Sequence, residues 1–162
     1  MQTQTDLSEG YFAAHNAFKD LSKQQVADAT VVVVGCGPVG LCAVINAETY
    51  KPKHLLAVDS VQSRLDLAKS LGAESWNFQT DREGLDKRVK ELTDGRGADV
   101  IIEVVGLSAA LKMGFELLRP WGVISSVGVH NGEVCTHFAG LVDECLKLCR
   151  SHGVAIRRMA RI

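Results

Sequence analysis

The stretch Thr30-Val31-Val32-Val33-Val34-Gly35-Cys36-Gly37-Pro38-Val39-Gly40-Leu41 decides the fold. Five β-branched residues in a row, with no alternation of apolar and polar positions, predict a strand covered on both faces, the setting of a central parallel strand. The run stops at Gly35, and the glycines at 35, 37 and 40 fit GxGxxG just before a helical stretch from Val39 to Tyr50. Strand, glycine turn and helix in that order separate this pattern from a chance cluster of glycines. The three glycines serve different ends. Gly35 permits the tight turn off the strand, Gly37 lets backbone approach a phosphate group, and Gly40 lets the helix sit close to the strand. Pro38 lies at the helix start, where its fixed φ helps and its missing N–H costs little. The unpaired N–H groups of the first helical turn then face an anion, with the positive end of the helix dipole behind them.

The next apolar run, His54 to Val58, closes on Asp59, nineteen positions beyond Gly40. An acidic residue about twenty positions on is what a dinucleotide-binding βαβ unit requires, because its carboxylate accepts hydrogen bonds from the adenosine ribose hydroxyls. It also repels a 2′-phosphate, by roughly 4 kcal/mol per charge pair at 4 Å and an effective dielectric near 20. Ser60, not a basic residue, follows it. Both features favour NAD over NADP. Arg64, one turn into the following helix, either reaches the ribose or a phosphate, which softens that preference, or stands as a solvated helix charge.

Outward from this unit, strands and helices alternate. A helix with Asp6 or Ser8 as cap is expected over Asp6–Leu21, carrying Tyr11, Phe12, His15 and Phe18 on one face and weakened early by Gly10; Ser22–Ala29 reads as a polar link. Helix Val61–Leu71 with Leu65, Ala68 and Leu71 inward and Gly72 at its end precedes strand Glu74–Phe78. Helix Arg82–Thr93, strand Asp99–Val105, helix Ser108–Leu118 with Ser108 as cap and Pro120 beyond, and strand Val123–Val129 follow. The pattern predicts an α/β doubly wound parallel (Rossmann) sheet of about six strands with helices on both faces. Residues 1–29 read as an opening helix and link, 30–134 as the dinucleotide-binding core, and 135–162 as a tail with a helix over Leu141–Arg150 and a sixth strand over Val154–Ile156.

Composition narrows the class. At 162 residues, 46% hydrophobic and 23% charged, the chain suits one soluble domain with no need of disulfides. A net charge of −1 argues against nucleic-acid binding, and the terminal Arg157, Arg158 and Arg161 read as a solvated end. No apolar run approaches the length of a membrane span, and polar Met1–Leu7 lacks a signal-peptide layout, so a cytoplasmic protein is expected. The five cysteines, an odd number without CxxC spacing, are expected as free thiols.

Longer stretches extend the motif: Val58-Asp59, Leu67-Ala68-Lys69-Ser70-Leu71-Gly72-Ala73, Gly95-Arg96-Gly97-Ala98-Asp99-Val100, Glu103-Val104-Val105-Gly106 and Arg119-Pro120-Trp121-Gly122, with Gly10-Tyr11-Phe12-Ala13-Ala14 ahead of them. Together with the Val31–Leu41 turn, they make residues 6 to 134 resemble the zinc-type medium-chain alcohol dehydrogenases, and only the NAD-binding part of that family. The resemblance implies hydride transfer between an alcohol and an aldehyde or ketone, with a nicotinamide as the other partner. It implies that Gly35, Gly37, Pro38, Val39 and Gly40 hold the pyrophosphate, that Asp59 and Arg64 sit at the adenosine ribose, and that Val105 and Gly106 line the cleft. Val127, Gly128 and Val129 would approach the nicotinamide, at strand ends as the fold requires. It implies pairing of two chains through the sheet edge as well.

The family's catalytic region, with its zinc ligands and Gly-His-Glu motif, has no counterpart here, so no catalytic residue is assigned and turnover by this chain alone is not expected. The tail set Cys135, His137, Cys145 and Cys149 lacks a zinc knuckle, and no metal site is expected there. Two other readings remain open: a stand-alone NAD-binding or interaction module, and a methyltransferase, which also uses a glycine-rich turn and an acid after the second strand.

Overall fold

The Thr30–Val34 run forms β1 with all five residues buried. A computed structural model describes residues 2–128 and 154–157, with side chains described from Leu7 to Gly128. β1 lies between two parallel neighbours, β2 (His54–Asp59) and β4 (Ala98–Glu103). β3 (Glu74–Asn77) continues beyond β2, and β5 (Leu118–Ser126) beyond β4. With β6 (Val154–Arg157) at the far edge, the order β3-β2-β1-β4-β5-β6 reverses direction at β1, which places a crevice outside the carboxyl ends of β1 and β4.

Alternate residues of the strands feed two cores. Val31, Val33, Leu55, Ala57, Val100 and Ile102 face α1 (Gln2–Phe18), α3 (Pro38–Thr49) and α4 (Gln62–Ser70). Val32, Val34, Leu56, Val58, Ile101 and Ile124 face α5 (Arg82–Leu92) and α6 (Ser108–Leu117). This period-two sorting explains why the strands read as unbroken apolar runs: both faces are covered.

Several expectations change. The sixth strand, β6 (Val154–Arg157), runs antiparallel to β5, so the sheet has five parallel strands and an antiparallel edge. A short apolar run carries no mark of its direction, and such an edge is common on doubly wound sheets. β5 begins at Leu118, five residues before the expected Val123, and ends at Ser126. Its register jumps from Ala98↔Leu118 to Val100↔Val123, so Arg119-Pro120-Trp121-Gly122 bulges out, and Trp121 takes φ 63°. A proline is tolerated in a strand at such a bulge. Ser22–Ala29 is not simply a link: Lys23–Ala27 forms α2, whose capping box joins Ser22 and Gln25. Leu107 occupies the N-cap of α6, with Ser108 inside the helix.

The opening helix buries another face than expected. Tyr11 and Phe12 are exposed, and Tyr11 stacks on His15 at 5.8 Å. From Leu7 onward, the buried residues of α1 are Gly10, Ala13, Ala14, Asn16, Ala17 and Phe18. Small side chains allow close approach to α3: a Cβ on Gly10 would lie 2.5 Å from Cys42 Cβ. Gly10 is therefore a contact point in the middle of a helix that starts at Gln2, not a weak first turn. Phe18 closes the face by stacking on Tyr50 at 4.5 Å.

The amino ends of the central strands are tied by Asp99. Its Oδ2 accepts the Thr30 N–H at 2.8 Å, and its Oδ1 accepts from Arg119 Nε at 2.5 Å. The expected tail helix over 141–150 and the set Cys135, His137, Cys145 and Cys149 lie outside the described residues, as does Val129.

Candidate functional site

The glycine turn has the predicted local logic. Gly35 takes φ +98°, and its N–H donates to Val58 O at 2.8 Å, which fixes the turn to the end of β2. A Cβ on Gly40 would collide with Gly35 O, so α3 sits directly against the turn. Gly37 is the N-cap of α3, and a Cβ built there meets nothing within 4 Å. The face above Gly37 is therefore open, while those at Gly35 and Gly40 are closed by protein. Pro38 takes the first helical position, where it lacks an N–H, and Leu41 N–H donates to Gly37 O. The N–H groups of Val39 and Gly40 have no partner within the helix and point out of its first turn. Open space, two unused donors and the positive end of a twelve-residue helix are what an anionic group requires of a binding turn.

Asp59 lies beside this turn. It is 7% exposed. Its Oδ2 accepts the Cys36 N–H at 2.7 Å, and its Oδ1 accepts those of Ser60 and Val61 at 2.7 and 2.9 Å. Three backbone donors use three of the carboxylate's roughly four acceptor positions, which fixes its orientation and leaves one for an outside hydroxyl. Arg64 Nη1 approaches Oδ2 at 3.8 Å with its side chain half exposed, so it stands at the same rim. Cys36 is buried under the turn, and burial, reinforced by the negative Asp59 and opposed by Arg64, pushes its thiol up to about 12. It is a packing residue, not a nucleophile.

The opposite wall comes from the β4–α6 turn. A Cβ on Gly35 would meet Val105 Cγ2 at 2.6 Å, so Val105 leans on the first glycine of the turn while remaining 42% exposed. A Cβ on Gly128 would collide with Gly106 N, so the end of β5 presses on the same turn. Val127 N–H donates to Glu103 O at 3.0 Å. Val61, Val105 and Leu107 leave apolar surface exposed along this carboxyl rim. The structure thus brings Gly35, Gly37, Pro38, Val39, Gly40, Asp59, Arg64, Val105, Gly106, Val127 and Gly128 to one end of the sheet.

Sequence reasoning passed over Glu103 and Ser126. Glu103 has no exposed surface and closes β4 as Asp59 closes β2. Its Oε1 accepts the Val105 and Gly106 N–H groups at 2.8 and 2.7 Å, and its Oε2 accepts from Ser126 Oγ at 2.5 Å. The signal was available: an acid at the end of a strand covered on both faces must find donors nearby.

Among the described residues, no group of three or more His, Cys, Asp or Glu is placed to hold a metal ion. The described residues do not fit a zinc site, and no step is assigned to one. No helix among them is long and apolar enough to cross a membrane.

Known proteins match this architecture. The chain is 75% identical over 125 residues to the zinc-type alcohol dehydrogenase B of Aspergillus flavus, a match covering 77% of this chain and 29% of that protein. It is 47% identical over 122 residues to a medium chain reductase/dehydrogenase of an Acremonium species, covering 75% of this chain and 42% of that one. The alcohol dehydrogenase of Thermotoga maritima superposes with a TM-score of 0.69 at 36% identity, covering 77% of this chain and 34% of that one. The chain thus spans about a third of the length of the curated relatives it matches. The zinc-binding dehydrogenase family matches residues 38–160, from the glycine turn through β6, and the chain belongs to that family as its Rossmann, nucleotide-binding part.

Proposed function

We propose that this chain is the cofactor-holding part of an NAD-dependent, alcohol dehydrogenase-like oxidoreductase. NAD would lie across the carboxyl ends of β1, β2, β4 and β5. Its pyrophosphate would meet the Val39 and Gly40 N–H groups over Gly37, and its adenosine ribose would meet Asp59 and Arg64. The nicotinamide would lie toward Val105, Gly106, Val127, Gly128 and Val129. When bound, the nicotinamide supplies the hydride acceptor or donor. The chain's own residues bind it, orient it and line one side of the crevice. On this reading residues 30–134 form the cofactor core, and the catalytic zinc of the family is held by residues other than the described ones.

The observation that carries this reading is the pairing of open space above Gly37 with Asp59 tied to the Cys36 N–H of the same turn. The fixed carboxylate supports NAD over NADP, since a 2′-phosphate would lie against it. Isothermal titration of the chain should give saturable NAD binding, NADP weaker by at least about tenfold, and no alcohol turnover. NADP equal to NAD, or robust turnover by this chain, would contradict it. S-adenosylmethionine competing where NAD does not would revive the methyltransferase reading, which the family match otherwise sets aside. Saturable binding with no alcohol activity in the longer protein would favour a non-catalytic module.

β6 ends the sheet among the described residues, and pairing of two such edges would give a homodimer. Light scattering should then report twice the 17.5 kDa of the chain, and a monomer at high concentration would count against it. The free thiol of Cys36 supports a cytoplasmic setting.

A further inference from the structure

We propose that Glu103 is a positioning residue for the nicotinamide half of the crevice, acting through the β4–α6 turn without touching the cofactor. This inference rests on the cofactor placement proposed above.

A fully buried carboxyl group is costly unless its oxygens are occupied by donors. Glu103 meets that demand with the N–H groups of the two residues that make the wall, Val105 and Gly106, and with the Ser126 hydroxyl. The backbone does the same from the other side: Val104 N–H donates to Val34 O at 3.2 Å, and Val127 N–H donates to Glu103 O. Glu103 and Val104 together therefore join the ends of β1, β4 and β5 where the strand order reverses.

The surrounding contacts leave the turn little freedom. Val105 sits against Gly35, and Gly106 sits against Gly128. A shift of the Val105-Gly106 backbone would move the wall relative to the phosphate turn, which Asp59 fixes separately. The crevice thus has two independently braced halves. Asp59 holds the adenosine side through Cys36, Ser60 and Val61, and Glu103 holds the nicotinamide side through Val105, Gly106 and Ser126. A core residue that only held the fold together would affect both halves alike.

That difference gives the test. The full chain and its Glu103→Ala, Glu103→Gln and Ser126→Ala variants are titrated with NAD and with AMP, which carries only the adenosine half. Glu103→Ala should weaken NAD by about tenfold or more and AMP by no more than about twofold, since two turn amides lose their acceptor. Glu103→Gln should restore most of the NAD affinity, because its amide oxygen still accepts both N–H groups and the Ser126 hydroxyl can turn to accept from the amide nitrogen. Should Glu103→Ala fail to fold, Ser126→Ala decides: about threefold weaker NAD with unchanged AMP supports the proposal. NAD and AMP weakened in proportion, or neither weakened, overturns it. A native chain that binds neither ligand overturns the cofactor placement itself, whereas native NAD binding without the split in the variants overturns only the role of Glu103.

Discussion

Gly37 and Gly40 lie three positions apart in one turn and make opposite demands. Gly40 is closed in by protein, and a methyl there would strike Gly35 O, so backbone must move. Gly37 has a φ of −67°, which any residue adopts, and nothing lies within 4 Å of a Cβ there. Gly40→Ala should therefore cost about 2–4 kcal/mol of stability, as overpacking against backbone does. Gly37→Ala should leave the thermal midpoint within a degree or two yet weaken NAD by about tenfold or more, since the methyl would occupy the pyrophosphate's approach. Thermal melts and NAD titrations of the two variants check the contrast, and a Gly37→Ala protein that melts early but binds normally would invert the assignment. The glycine positions were legible because each answers to a local backbone need. Glu103 carried one local sign, an acid ending a buried strand, but its partner Ser126 lies twenty-three residues away on β5, a pairing that no local pattern marks.

The elements are held at both ends of the sheet by acids. At the amino ends, Asp99 accepts the N–H of buried Thr30 and the guanidinium of Arg119, so it joins the starts of β1, β4 and β5. Removing its carboxylate leaves a buried N–H without its acceptor, at a cost of about 2–3 kcal/mol. For a domain of this size that is a fall of roughly 4–12 °C in the melting midpoint. Asp99→Ala should show that loss with NAD affinity little changed, because Asp99 lies at the end of the sheet away from the crevice; an unaltered midpoint would remove it from the framework. Strand and helix positions were readable where periodicity or an unbroken apolar run fixes them, as at β1 and α4. The Arg119–Gly122 bulge was hidden, since Pro120 reads as a stop after α6 although the strand has already begun at Leu118. The buried face of α1 was misread for a related reason. Its aromatics have the larger burial value singly, but Gly10, Ala13, Ala14 and Ala17 permit the closer approach to α3.

At the scale of the whole molecule, the sheet order and the family match agree on a nucleotide-binding Rossmann domain that accounts for about a third of its longer relatives. Two acids closing the parallel strands that flank β1, Asp59 on β2 and Glu103 on β4, shape the two sides of one crevice, and the glycine turn after β1 lies between them. In the proposed function this turn receives the cofactor's pyrophosphate. Amide chemical shifts of isotope-labelled protein, followed through an NAD titration, test it most directly. Saturable shifts should be largest at Gly37, Val39 and Gly40, with smaller ones at Cys36, Ser60 and Gly106. Shifts confined to other surfaces, or none at saturating NAD, would contradict it.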